Sequence, residues 1–223
     1  MSSLANGSVL PDCIAQTTLV AQSHMLRREN RRVLSLTVDR LLDELARETP
    51  VPGAGPAAAL VAAAAASLAA MGARASYGSW DEASAAVAQA ELLRARAAVL
   101  AQEDARAVEA YLAARRPTEA HQESRDFRVG QTLERAADVP LAIAETATDA
   151  ALLAAHVADR CQGEVRADAA AAALLAHGAA RAAAHLVEIN LVASADDERV
   201  KRARDLVRTA GVAANAATAA TGA

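Results

Sequence analysis

The sequence predicts an all-α fold: a compact bundle of about six to eight helices, two of them alanine-rich and buried, with a dimeric assembly. Three observations carry that expectation. Alanine supplies roughly three residues in ten and aromatics only 2%; alanine loses least entropy in a helix, while β-branched and aromatic residues carry sheets. No segment alternates convincingly with a period of two. Hydrophobic residues reach 53%, but so many are alanine that each buries little area, and helices must pack closely to gain enough contact.

The elements follow in order along 223 residues, enough for one domain or one domain with a tail. Residues 1–34 read as an N-terminal extension: Ser2 to Ser8 look disordered, and Asp12 to Leu34 has the makings of a helix ending in the basic run "LRRENRR", with Met25 an alternative start. The helical domain spans 35–213. Thr37 to Glu48 carries Val38, Leu41, Leu42 and Leu45 at helical spacing, with Thr37 as N-cap. Pro50–Pro56, "PVPGAGP", is a turn, since proline disfavours helix before it and glycine permits positive φ. Ala57 to Ala75 is the first buried alanine helix, ended by "SYGSW". Asp81 to Arg115 is long and amphipathic, Pro117 to Glu123 a polar loop, and Glu123 to Ala137 a further helix that Pro140 separates from Leu141 to Arg160. "CQGEVRAD" (161–168) is a loop, Ala169 to Leu191 the second alanine helix, and Asp196 to Ala213 a charge-studded last helix before a flexible tail, 214–223.

Net charge and cysteine usage narrow the function classes. A charge of −4 gives no electrostatic case for nucleic acid. Cys13 and Cys161 form neither a disulfide framework nor a metal site by spacing. The N-terminus lacks the charged-then-apolar order of a signal peptide, and the longest apolar run, Pro56 to Met71, is short and alanine-rich for a membrane span. The expectation is a cytoplasmic protein that binds neither nucleic acid nor membrane.

Three stretches then stand out: "ELARETPVPGAGPAAALVAAAAASLAAM", "EDARAVEAYLAARR" and "RADAAAAALLAHGAARAAAHLVEINL". In order and spacing, over about residues 37–210, they resemble the cyclodeaminase/cyclohydrolase family: the C-terminal half of formiminotransferase-cyclodeaminase and the stand-alone methenyltetrahydrofolate cyclohydrolases. The family pattern runs P-x-P-G-G-G-S, a small-residue helix ending in Met, D-A-x-A-F, L-P-K, an Arg before V-P-L, G-N…S-D and N-V-x-I-N-L. Here Pro50, Pro52, Gly53 and Gly55 match the turn, with Ala54 and Pro56 as departures. Asp104, Arg125, Asp138–Leu141, Asp168 and Asn190 match later motifs, while Val108, Ala167 and Leu186 depart from them. The L-P-K lysine has no counterpart, and the G-N loop is reduced to "QGE" (162–164).

The resemblance implies a homodimeric helical bundle acting on a tetrahydrofolate derivative, with no cofactor required and the substrate in a cleft near the glycine turn. Both family reactions pass through a tetrahedral carbon between two nitrogens, so protons must move on and off nitrogen, which suits a positioned carboxylate. Asp104, on a helix with Leu100 and Ala107 beside it, is the first candidate acid/base; its plain alternative is a solvated aspartate near Arg96 and Arg106. Asp168 is the second, and reads equally as an N-cap. His121 lies in the shortened loop where the lysine is missing, and its pKa range suits proton transfer. The turn that holds Pro52, Gly53, Ala54 and Gly55 would present the backbone N–H groups of its non-proline residues at a helix start, Arg125 would offer a guanidinium for a substrate carboxylate, and Asn190 an amide. No metal is expected: His177 and His185 share one helix without completing a ligand set. Two alternatives remain open: a same-fold enzyme that cyclises or deaminates a non-folate substrate in secondary metabolism, and a non-catalytic helical dimer binding a small molecule or protein.

Overall fold

The computed structural model describes residues 33–49, 51–115, 122–161, 163–191 and 196–222, with side chains described except over 122–128. The described residues contain helices and no strands: a 3-10 turn at Val33–Ser35, then α1 (Val38–Leu45), α2 (Ala54–Ala75), α3 (Ala83–Ala114), α4 (Gln122–Arg160), α5 (Val165–Asn190) and α6 (Glu198–Ala220). The expected N-terminal extension lies largely outside these residues.

The two alanine helices are where the composition placed them. On α2, Ala58, Ala59, Ala62, Ala66, Ala69 and Ala73 are buried, and on α5 Ala169, Ala172, Ala176, Ala180 and Ala183. Three- and four-residue spacing puts each set on one helical face. Helices α2 and α5 run side by side and both pack on α4, so one shared core joins them. At Gly72 even a methyl group would be too much: a Cβ there would stand 2.9 Å from Val157 Cγ1 of α4. Around this centre α3 packs on α2 and α4, while α6 packs on α4 and α5.

Corners and ends carry their own chemistry. Thr37 caps α1 by accepting from the Arg40 N–H at 3.3 Å, as its position predicted. Between α2 and α3, Gly78 turns the chain at φ +86°, and buried Trp80 meets His156 edge-on with ring centroids 5.2 Å apart. Arg166 donates to the Cys161 carbonyl at 3.0 and 2.8 Å, placing a cation at the C-terminal end of α4, where the dipole favours it. Asp197 caps α6, accepting from the Arg199 N–H at 2.8 Å. The Arg199 side-chain and backbone hydrogen bonds lower the Asp197 pKa to about 2.

Several boundaries differ from expectation, among them the start of α2, at Ala54 rather than Ala57. Helix α5 starts at Val165 rather than Ala169, so the 161–168 stretch is partly helical. Helix α6 does not end at Ala213; it runs on to Ala220, with Ala214 and Ala217 buried, so most of the expected flexible tail is a packed helix. Pro140 does not divide its stretch either: α4 is one helix of 39 residues with Pro140 inside it. Proline has no N–H for the carbonyl four residues back, here Ala136. The Asn190 side-chain amide supplies the missing donor, reaching from the end of α5 to the Ala136 carbonyl. Arg199 secures the same region from α6, donating to Asp138 at 2.9 Å. Tertiary contacts replace the lost backbone bond and the helix continues.

By length and composition alone, Ala54–Ala75, Val129–Arg160 and Val165–Asn190 are long and apolar enough to cross a membrane, although the sequence run from Pro56 to Met71 looked too short. Here at least 50% of the most apolar window of each is buried inside the bundle.

Asn190→Ala should destabilise the fold by about 1–2 kcal/mol in denaturant unfolding, because it strips a part-buried carbonyl of its donor. The same change made in a Pro140→Ala background should cost much less, because alanine restores the backbone N–H. Equal costs in the two backgrounds would refute this account of the proline.

Candidate active site

The P-x-P-G-x-G turn enters α2 through a cis peptide at Val51–Pro52. Gly53 is the N-cap, in an extended conformation with no side chain to contribute, and Ala54 begins the helix. Pro56 is therefore the third helical residue, not the first; it still falls in the opening turn, where N–H groups have no intrahelical acceptor. Pro52, Gly55 and Pro56 are buried, and Gly53 and Ala54 are more accessible. Pro50 lies outside the described residues.

Asp104 comes to this turn from α3. A Cβ built on Gly55 would overlap the Asp104 carboxylate, both oxygens and the carbon between them. The carboxylate thus occupies the place where any other residue at 55 would put its side chain. Around it, Ala58 and Ala59 of α2 and Leu100, Ala101 and Ala107 of α3 join Val139 and Ile143 of α4 in an apolar cluster. Val33 donates its N–H to the Gln102 side chain at 2.9 Å, tying the 3-10 turn to α3 two residues away.

These surroundings set the acid's chemistry. Asp104 is only 4% exposed, and no hydrogen bond or ion pair from another described residue reaches its carboxylate. Arg96, which the sequence offered as a neighbour, instead lies 3.8 Å from Glu145, and Arg106 is exposed. Burial without a compensating charge disfavours the ionised form and pushes the Asp104 pKa up to about 6. A carboxylic acid poised there can take and return a proton near neutral pH.

The other sequence candidates do not converge on this point within the chain. Asp168 is exposed, in the first turn of α5, and is not the N-cap; Glu164 holds that position without a side-chain bond. The start of α5 lies beside the far end of α2, since a Cβ on Gly72 would come 3.6 Å from the Ala169 methyl. Gly55 and Gly72 are 17 helical residues apart, roughly 25 Å at 1.5 Å per residue. The two candidate carboxylates therefore sit at opposite ends of the bundle, and within the chain Asp168 does not join Asp104 at the glycine turn. Asn190 is engaged with the Ala136 carbonyl and contributes to structure. His121 lies outside the described residues; Arg125 is in the first turns of α4, its side chain undescribed. Among the described residues no group of three His, Cys, Asp or Glu is placed to hold a metal.

In the sequence Gly55 read as one of several candidate residues of the turn. Its repeated glycines were the available signal, but which one faces the acid depends on how α3 packs.

Comparison with known proteins identifies the family and the fold. A family model described as formiminotransferase-cyclodeaminase matches residues 37–209. The methenyltetrahydrofolate cyclohydrolase of Methylorubrum extorquens is 31% identical over 188 residues, covering 78% of this chain and 90% of that protein. The crystal structure of formiminotetrahydrofolate cyclodeaminase from Thermotoga maritima superposes with a TM-score of 0.75, over 84% of this chain and 96% of the other. At 22% identity that last likeness concerns the fold. With a family model matching residues 37–209 and a relative 31% identical over most of both chains, this protein belongs to the formiminotransferase-cyclodeaminase family.

Proposed function

We propose that the protein is an enzyme of folate one-carbon chemistry acting on C–N bonds, a methenyltetrahydrofolate cyclohydrolase or formiminotetrahydrofolate cyclodeaminase. The 31% identity to a cyclohydrolase favours hydrolysis of the two. The observation that carries the reading is the Asp104 carboxylate, buried and unpaired against Gly55 at the start of α2. In hydrolysis, water adds to the amidinium carbon and Asp104 accepts its proton. The tetrahedral carbon then collapses, one C–N bond breaks, and Asp104 returns the proton to the departing nitrogen. In deamination a second folate nitrogen attacks and ammonia leaves, with the same proton traffic. An ionised Asp104 also attracts the cationic carbon, most strongly where water is excluded. The residues of the Pro52–Gly55 turn form the adjoining wall for substrate. No cofactor takes part, and the setting we propose is cytoplasmic.

One observation favours an altered substrate within the same fold. The only lysine in the sequence, Lys201, is on α6 and bonds Glu198 at 2.7 Å. No lysine is left to fill the family's L-P-K position, so Asp104 must work without it or on a different C–N ring.

The protein works as a homodimer in this reading. Helix α1 is only eight residues long and makes almost no packing contact with the other described helices. Isolated helices shorter than about 12–15 residues are marginal in water. Two of its apolar side chains face outward, Val38 at 73% exposed and Leu42 at 58%, with Leu34 alongside, while Leu41 and Leu45 are half-buried. Val61 and Met71 of α2 and Leu174 and Ile189 of α5 are exposed as well. A second copy would cover surface that the single chain leaves open.

Loss of methenyl-tetrahydrofolate absorbance tests the activity. The wild type should exceed the buffer rate, and Asp104→Asn should lower kcat by about 10²–10⁴-fold. No acceleration by the wild type would refute the folate reading and leave the non-folate one. Where proton acceptance limits the rate, activity should fall as pH drops below about 6, as Asp104 becomes protonated.

The same variant should gain stability. Between its ordinary pKa and about 6, folded Asp104 keeps a proton that the unfolded chain has released. Wild-type stability therefore declines as pH rises through that window, by about 3 kcal/mol in all at the usual 1.36 kcal/mol per pKa unit. Asp104→Asn should melt higher than wild type at pH 7.5, and the difference should close as pH falls towards 4. A variant that melts lower at pH 7.5 would contradict the buried, unpaired carboxylate.

Gly55→Ala should displace the carboxylate and cost at least about tenfold in kcat/KM, the scale of a misplaced catalytic group. Retained activity would move the chemistry elsewhere. For assembly, light scattering should report a dimer for the wild type and a monomer for Val38→Glu/Leu42→Glu. A double variant that remains dimeric would place the interface on another face.

A further inference from the structure

Between α5 and α6, on the outside of the bundle, lies an open groove of about 380 Å³. One wall carries Arg181, His185 and Glu188, at i, i+4 and i+7 of α5, and the other carries Arg204 and Arg208 of α6. Ala184 and Val207 add apolar surface to its lining. On the inner side of α5, Ala183 packs in the cluster that holds Ala58 and Ala59, so the helix stands between this groove and the turn beside Asp104.

The charges here are unbalanced. Three guanidinium groups meet in a chain of net charge −4, with Glu188 the one carboxylate in the lining. Glu188 spans the groove to Arg204 at 2.7 Å, which fixes that guanidinium in place. Arg208 pairs with Asp205, one turn back on its own helix. No carboxylate among the described residues pairs with Arg181. The other cations of α6 are answered too, Arg199 by Asp197 and Asp138 and Lys201 by Glu198, so Arg181 on α5 is the lining cation left without a carboxylate among the described residues. Glu188 and Asp205 answer two of the three guanidinium groups and leave an excess positive charge at Arg181, and guanidinium groups bind carboxylate and phosphate oxygens through two parallel N–H donors. The volume falls at the lower end of small-molecule sites, about 300–1,000 Å³.

We propose that this groove is a second ligand site, which takes a small molecule bearing two or more carboxylate or phosphate groups. Arg181 holds one oxyanion and Arg208, with Arg204, holds another, while Ala184 and Val207 lie under the short spacer joining them. His185 offers a further N–H donor from the α5 wall. The site does not depend on the folate reading, since none of its residues belongs to the Asp104 environment.

Calorimetric titration of the full chain with citrate and, separately, with pyrophosphate in 150 mM NaCl-scale ionic strength, where loose surface charge is screened at about 8 Å, tests this. Saturable binding of one molecule per chain is expected for at least one probe. Citrate alone would mark carboxylate as the ligand chemistry, pyrophosphate alone phosphate, and either supports the site. Arg181→Gln should weaken binding by about tenfold and Arg181→Gln/Arg208→Gln should abolish it, with circular dichroism melts confirming that both variants fold. No saturable heat from either probe, or undiminished binding by the folded double variant, would overturn the proposal.

Discussion

Close approach of helix backbones is the constraint on which the rest of this molecule depends. Where α2, α4 and α5 meet, the buried side chains are overwhelmingly methyl groups, and at Gly72 there is not room even for one. A buried methyl contributes about 0.8 kcal/mol of hydrophobic stabilisation, so such a core gains little per residue. It compensates through length, with helices of 22 to 39 residues running alongside one another, and through density, since dispersion between backbones grows steeply as they close. The layout leaves few large side chains to absorb a misfit, and therefore fixes where each helix ends.

The same economy of space creates the candidate site. The turn before α2 brings a glycine into the interior, and α3 places an aspartate over it. A larger residue at 55 would displace the acid; a less buried setting would leave the Asp104 pKa in the ordinary carboxylate range. The arrangement costs stability at neutral pH, because the charged form is held largely away from water with no partner among the described residues. A group that weakens the fold while being poised for proton transfer is what a stability–activity compromise looks like. Its contrast with Asp197 is instructive: two aspartates of one chain are moved in opposite directions, one held down by Arg199 and the other raised by burial.

Interruptions in the sequence mean different things once the tertiary structure is known. Pro140 looked like a helix break because local rules assume that a carbonyl without its partner ends the ladder. Asn190, fifty residues later, provides the partner, and Asp138 and Arg199 brace the same region. The asparagine matched a family motif and so drew a substrate-binding role, whereas its hydrogen bond explains its presence without one. Asp168 drew its role in the same way, and its place at the far end of α2 separates it from Asp104 in the single chain. Matching a motif locates a residue in sequence order; it does not say which end of a bundle that residue reaches.

The amino-acid sequence by itself determined the helical class, the two alanine helices and the course of most elements, because these follow from propensity and periodicity over windows of ten to twenty residues. It also located the glycine turn, and its resemblance to a known family singled out Asp104. Tertiary structure alone decided that Gly55 is the glycine beneath the acid, that Asp104 is buried and Asp168 exposed, that Pro140 is bridged, and that the last helix runs on to Ala220. Each of these depends on contacts between residues far apart in the chain. Alanine-rich helices look alike in sequence on every face, so only the packed bundle distinguishes the side that meets a neighbour from the side that meets water.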